Sequence, residues 1–196
     1  MMRGAATFAI VRTRLMQGRR MLILAAAACA LLAYLQRYDD DAARLAGCLV
    51  FGTLAGIAIA LLQRGSGYFR ELELCEQSAP LYGRELARAT ALVPCIIVTI
   101  ALAAYWAVSS AYSLPDLRAL ALTAFAVYAG TLVALCAGVR TGAARVLYVG
   151  MACCVPALAF ALTFVGRAAL PLVICGAIGF IALRQYGEAL ARYDPV

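Results

Sequence analysis

The chain has 196 residues, of which 65% are apolar and only 14% are charged, with a mean hydropathy of +0.89 and a net charge of +7. A soluble domain is about 45–50% apolar and about 25% charged, and a soluble fold of this length has too small an interior to hide so much apolar surface. The composition therefore excludes an ordinary soluble protein. It predicts an all-α integral membrane protein with a single transmembrane domain over residues 1–196.

The N-terminal segment, residues 3–20, has apolar residues at helical spacing, namely Phe8, Val11 and Leu15. Its basic residues Arg12, Arg14 and Arg19 fall outside this spacing. The pattern predicts a basic amphipathic helix that lies at the membrane interface. Basic residues before an apolar run also resemble a cleaved secretory signal, but the basic region is unusually long, and we expect the segment to be retained.

Six apolar runs predict six transmembrane helices, because a bilayer crossing needs roughly 20 apolar residues and barrel strands would alternate instead. The runs are residues 21–35, 45–62, 89–110, 119–139, 146–165 and 168–183. The first run is short unless Arg19 and Arg20 reach back to the headgroups. Since only Gly166 and Arg167 separate the last two runs, residues 168–183 either span the membrane or form a re-entrant or broken pair of half-helices.

All seventeen basic residues are arginine, and their distribution predicts the topology. Thirteen lie in the N-terminal tail, between spans two and three, between spans four and five, or in the C-terminal tail, where we place Arg184 and Arg192. These thirteen fall on one side of the membrane. The opposite side has four arginines, namely Arg37, Arg44, Arg118 and Arg167. The positive-inside rule then makes both termini cytoplasmic in a multi-pass protein of the inner (cytoplasmic) membrane. The same asymmetry explains the net charge without nucleic acid.

The predicted spans contain no Asp, Glu, Arg, Lys or His, and the whole chain has neither His nor Lys. Proton relays need an ionisable side chain at depth, a Ser–His pair needs histidine, and a GxxxxGK[ST] phosphate loop needs lysine. We therefore predict that the chain is not an enzyme and has no catalytic residue, metal site or cofactor of its own. Seven of the eight cysteines lie in the apolar runs, and we interpret them as small packing residues.

Three further features lie inside the spans or near their ends. Gly52 and Gly56 form a GxxxG pattern, which favours close helix approach, within the chain or in a dimer. Three prolines in or at the ends of spans predict kinks, namely Pro94, Pro156 and Pro171. Tyr105 and Trp106 lie near a span end, where we favour an interfacial anchor over a place in a substrate path.

Residues 63–88 form a long polar segment with the pattern helix, tight corner, helix. Apolar residues recur at helical spacing at Phe69, Leu72 and Cys75. Pro80 ends this first helix, because the residue before a proline disfavours the α conformation. A second helix begins near Gly83 and continues into the third span. By the topology above, the segment lies on the cytoplasmic face.

The stretch ELELCEQSAPLYGRELARA in this segment, with the amphipathic N-terminal helix and the six spans, resembles the ABC-2 type permeases of ABC transporters. In that family an acidic-and-leucine helix, a small-residue–Pro turn and a polar helix start follow one another in this loop. The turn corresponds here to residues 79–80 and the helix start to residues 83–86. The family commonly has extracellular helices between spans five and six, whereas this chain offers only residues 165–167 there.

The resemblance implies the membrane-spanning half of an exporter, working with a second permease chain, identical or different. Its cytoplasmic loop would be a coupling helix on a separate ATP-binding subunit, which would hold ATP and Mg²⁺. The implied contact residues are Ser78, Ala79, Pro80, Leu81, Tyr82, Gly83, Arg84, Glu85 and Leu86. The implied orienting charges are Glu71, Glu73, Glu76, Arg84 and Glu85.

Three alternatives stay open. Instead of a coupling helix, the polar segment could be an amphipathic linker on the membrane, with no partner. Instead of an exporter permease, the chain could be a non-catalytic membrane scaffold or assembly subunit, or a small uncoupled channel or carrier. The uncharged spans favour a lipid, a hydrophobic peptide or an uncharged solute as cargo.

Overall fold

In a computed structural model the protein is described over residues 2–63, 83–112, 117–163 and 169–190, with the backbone alone for residues 2–6 and 83–85. This part of the chain is helical and contains no strand. Its helices are α1 (Met2–Gln17), α2 (Arg19–Leu35), α3 (Asp41–Gln63), α4 (Gly83–Ser109), α5 (Leu117–Gly138), α6 (Gly142–Thr163) and α7 (Leu170–Leu190). A short 3-10 helix, Gln36–Tyr38, joins α2 to α3.

Helices α3 to α7, and α2 together with the 3-10 helix that follows it, are each long and apolar enough to cross a bilayer, which confirms the prediction of six transmembrane helices in a multi-pass membrane protein. Helix α7 is unbroken over 21 residues, so the chain does not form the alternative of two half-helices there. It also extends beyond residue 183, so Arg184, which the sequence analysis places in the C-terminal tail, belongs to the same helix. The added turns are held because Tyr186 and Leu190 are buried in the core.

Helix α1 forms within the segment predicted to be an amphipathic helix. Val11 and Leu15 pack against the core between α2 and α4. Phe8, which was predicted to share their face, does not pack with them and has an exposed fraction of 67%. Helix α1 lies against α4, so this face is used for contact within the chain. That α1 lies at a membrane interface stays a prediction.

Helix α5 is the centre of the bundle, since it contacts α3, α4, α6 and α7, whereas α1 and α2 lie against α4. Thirteen of its 22 residues are buried, and most of these are Ala, Gly, Thr or Val. Lipid tails are as apolar as leucine, so helices in a bilayer associate through close packing and not through transfer out of water. The small side chains of α5 let four other helices approach it closely.

Helices α3 and α5 cross closely at glycine positions. A Cβ atom on Gly52 would lie 3.0 Å from Val127 Cγ2, and one on Gly56 would overlap the hydroxyl of Thr131. Gly130 of α5 approaches α3 in the same way. The GxxxG pattern is therefore used for packing within the chain, because its glycine face is already covered by α5.

A hydrogen-bonded turn closes the end of the bundle at which α2 meets α3. The amide of Ala43 donates to Asp40 Oδ1 over 2.8 Å, which caps the start of α3. The hydroxyl of Tyr105 on α4 lies 3.1 Å from Gln36 Oε1 and 3.2 Å from the carbonyl oxygen of Arg44. Tyr105 is only 1% exposed, so it joins α4 to this turn from inside, and its prediction as an interfacial anchor was wrong.

The prolines and cysteines lie where the sequence places them. Pro94 and Pro156 are inside α4 and α6, and Pro171 is the second residue of α7. Each internal proline removes one helical N–H donor, which favours a kink. The seven cysteines in the described part of the chain are free, and Cys29, Cys48, Cys136 and Cys175 are buried between helices. At these four positions the packing role is confirmed.

The α3–α5 crossing predicts that Gly56→Ala lowers stability in detergent by about 1–3 kcal/mol, because the new methyl group overpacks the contact with Thr131. Gly150→Ala is the matched control: it also lies in a transmembrane helix, but its Cβ atom would meet nothing within 4 Å. The measurement is the thermal unfolding midpoint of each purified variant.

Adding Thr131→Ala to Gly56→Ala removes the hydroxyl that the methyl group meets, so the double variant should recover part of the loss. Equal midpoints for Gly56→Ala and Gly150→Ala would show that the crossing is looser than described.

Candidate functional site

The described part of the predicted ATPase-contact segment, residues 83–86, lies at the start of α4, at the end of the bundle where α3 ends. We call this the arginine-rich end, and its described arginines are Arg12, Arg14, Arg19, Arg20, Arg88, Arg140, Arg145 and Arg184. Residues 78–82 of the segment lie outside the described residues. Gly83, Arg84 and Glu85 form the first turn of α4, with the backbone alone described. Leu86 is the first residue of the segment whose side chain is described.

Leu86 is buried, with an exposed fraction of 7%, in the core cluster of the arginine-rich end. Tyr186 and Leu190 of α7 belong to the same cluster, as does Ala60 of α3. The side chain of Leu86 therefore holds the segment to the bundle from inside. The contact of residues 78–85 with an ATPase is not tested by these positions and stays a prediction.

A pair of buried hydroxyls joins the start of α4 to the end of α7. Thr90 Oγ1 and the Tyr186 hydroxyl lie 2.9 Å apart, and the Thr90 hydroxyl also lies 2.9 Å from the carbonyl oxygen of Leu86. Both side chains are almost fully buried. A buried hydroxyl without a partner is costly in apolar surroundings, so this pair favours one fixed register between α4 and α7.

At the other end of the polar segment of residues 63–88, α3 ends at Gln63, which is 2% exposed. The guanidinium Nη1 of Arg14 donates to the carbonyl oxygen of Gln63 over 3.5 Å, and Arg14 is fully buried. The last carbonyls of a helix have no donor within the helix and carry partial negative charge. A buried arginine is expensive unless it is paired, and here it lies where the end of α3 offers acceptors.

The sequence did not predict the burial of Arg14, which was placed outside the apolar face of α1. The residues of α1 and its end that turn inward are Thr7, Ile10, Val11, Arg14, Leu15 and Gly18. Arg14 lies in the middle of this face at spacings of four residues from Ile10 and from Gly18. That spacing was visible in the sequence, but a basic residue is normally assigned to the polar face of a helix.

The exposed surface beside the segment is a groove of about 400 Å³ between the start of α4 and the end of α7. Arg88, Arg184 and Glu188 are among its lining residues. Arg184 Nε lies 3.1 Å from Glu188 Oε1, four residues along α7. Both side chains are exposed, so this pair adds little stability. The groove places mixed charges next to the position where residues 64–82 join α4.

The described residues carry no arrangement suited to metal binding. No group of three or more His, Cys, Asp or Glu side chains is brought together in residues 2–63, 83–112, 117–163 and 169–190. The polar groups at membrane depth are mostly hydroxyls, such as Thr99 Oγ1 and the Tyr128 hydroxyl, which lie 2.7 Å apart. These pairs join neighbouring helices and offer hydrogen bonds, but no strong base or nucleophile.

Comparisons with sequence families, with curated proteins and with solved structures find no match to this chain.

The contact at the end of α3 predicts that Arg14→Met lowers stability by about 1–3 kcal/mol, because the buried carbonyl of Gln63 loses a charged donor. Arg12→Met is the matched control, since Arg12 is an exposed residue of the same helix. The measurements are thermal unfolding in detergent and amide hydrogen exchange of α1. Exchange should rise in Arg14→Met alone. The same protection in both variants would show that Arg14 does not hold α1 to the bundle.

Proposed function

We propose that this chain is the permease subunit of an ATP-driven exporter of the ABC-2 type, with both termini on the cytoplasmic side. A separate ATPase subunit would act on the polar segment of residues 63–88. One observation carries the proposal: both ends of this segment are built into the buried core, through Gln63 on α3 and through Leu86 on α4. A segment that transmits a force needs fixed ends, whereas a surface linker does not.

The contacts of these two ends connect the segment to four helices. Arg14 joins the end of α3 to α1, and α1 also lies against α4. Thr90 joins the start of α4 to Tyr186 on α7. A displacement of the segment would therefore move α1, α3, α4 and α7 together relative to their neighbours. Rigid-body movement of packed elements is a common way of switching a protein between two states.

The energy for such a movement would come from the partner, because this chain has no lysine for a phosphate-binding loop. ATP and Mg²⁺ would be held by the ATPase subunit. Two permease chains would form the pathway between them, and its lining would consist of hydroxyl, backbone and apolar groups. Such a lining suits a lipid, a hydrophobic peptide or an uncharged solute better than an ion, since an ion at depth needs compensating charge.

The first test is to purify the tagged full-length chain in a mild detergent from its native host and to identify stoichiometric partners. We expect a soluble chain that carries a GxxxxGK[ST] motif and hydrolyses ATP. A chain that purifies only with other membrane proteins would favour a scaffold or assembly subunit. A chain that purifies alone and conducts solute in vesicles without ATP would favour an uncoupled channel or carrier.

The second test exchanges two charges, Arg84→Glu with Glu85→Arg, which keeps the net charge. We expect the co-purifying ATPase to be lost while the thermal unfolding midpoint stays unchanged, because charges at an interface determine the orientation of a partner. The matched control is Arg37→Asp with Asp39→Arg at the opposite end of the bundle, which also keeps the net charge. Retention of the ATPase by the Arg84/Glu85 variant would contradict the coupling role.

A further inference from the structure

A second feature of the arginine-rich end is a long groove on the outside of the bundle between α6 and α7. Its volume is about 970 Å³, and Val133 of α5 lies at its floor. The α6 residues that line it run from Val146 to Leu158. Twelve residues of helix measure about 18 Å, so the groove extends from the arginine-rich end well into the transmembrane region.

The walls of the groove are apolar and open. Leu147, Met151, Leu158 and Ile181 line it, and each is more than 40% exposed. Gly150 widens it, because a Cβ atom there would meet nothing within 4 Å. In a bilayer a surface of this kind is covered by hydrocarbon, and its length and depth suit an extended chain that lies along α6.

The end of the groove is polar and positively charged. The Tyr148 hydroxyl donates to Gln185 Oε1 over 2.8 Å, and both residues line the groove. The guanidinium carbon of Arg140 lies 4.2 Å from the centre of the Tyr148 ring. The Nε atom of Arg140 is buried without a hydrogen-bond partner among the described residues.

We propose that the α6–α7 groove binds one anionic phospholipid, with an acyl chain along α6 and the phosphate at Arg140. An apolar groove that ends beside a guanidinium group is complementary to an anionic amphiphile. Arginine is well suited to phosphate, because its planar fork of donors matches the phosphate oxygens. The tyrosine ring holds the Arg140 guanidinium at the mouth of the groove.

A second copy of this chain fits the groove less well than a lipid. Two copies in one membrane have the same orientation, so a two-fold axis between their α6–α7 faces is perpendicular to the bilayer. Such an interface is self-complementary and places each copy's Arg140 near Arg140 of the other copy. Like charges facing one another across an interface are unfavourable. A phosphate group at the same place neutralises them.

The probe is an equimolar mixture of dioleoyl phosphatidylglycerol and dioleoyl phosphatidylcholine, which have the same chains and differ in headgroup charge. Native mass spectrometry of the full-length protein in a zwitterionic detergent counts the bound lipids. We expect one tightly bound phosphatidylglycerol. Arg140→Gln should weaken the preference for phosphatidylglycerol about fivefold. Arg20→Gln is the control, an exposed arginine of the same end.

Two further variants test the groove itself. Gly150→Leu fills it and should displace the lipid, whereas Ala28→Leu adds the same side chain to an exposed face of α2 and should not. Tyr148→Leu removes the ring that holds the Arg140 guanidinium group, and it decides the headgroup contact if Arg140→Gln folds poorly. Equal binding of the two lipids would overturn the proposal, as would unchanged binding by Gly150→Leu. A protein dimer that Gly150→Leu disrupts would identify a second copy as the occupant and would also overturn it.

Discussion

The close crossing of α3 and α5 is the contact on which the rest of the bundle depends. In a bilayer the solvent is as apolar as the helix surfaces, so the area of contact and the fit of the backbones decide which helices associate. Gly52 and Gly56 bring α3 against α5 over more than one turn. On α5, Gly130 leaves room for Thr53 of α3. With α3 placed so closely, the other faces of α5 are left for α4, α6 and α7.

The central place of α5 has a consequence for where polar groups can lie. A helix that is surrounded on most sides has to satisfy its hydroxyls within itself, and Thr123 and Thr131 do so by donating to carbonyl oxygens four residues earlier. Other hydroxyls join different helices. Thr90 on α4 bonds to Tyr186 on α7, and the Tyr128 hydroxyl on α5 lies 2.7 Å from Thr99 Oγ1 on α4. Specific hydrogen bonds therefore supplement the close packing by which α5 holds its neighbours.

The number and position of the transmembrane helices could be predicted from the sequence, because bilayer thickness sets their length and the apolar runs meet it. The neighbours of each helix could not be predicted. In a soluble protein the polar face of a helix marks the outside, but here both faces are apolar and lipid covers the outer one. The glycine pattern at Gly52 and Gly56 showed that a close contact exists, without identifying α5 as the partner.

The candidate site was predictable only in part, for a related reason. The segment of residues 63–88 was visible as a polar interruption, and its attachment to α3 and α4 follows from chain order. The residues that hold its ends do not stand out in the sequence. Thr90 and Tyr186 are 96 positions apart, and no sequence pattern around either residue indicates that their side chains meet. Arg14 was assigned to the polar face because of its charge. In the structure it is buried, where it donates to the carbonyl oxygen of Gln63.

The two ends of the bundle differ in a way that bears on movement. The turn between α2 and α3 is short, and buried Tyr105 on α4 bonds to it, so α4 is held at that end. At the arginine-rich end α4 is held instead to α7, through Thr90. Pro94 lies between these two attachments and removes a backbone hydrogen bond from α4. Pro94 is therefore the position at which α4 bends most easily between its two attachments.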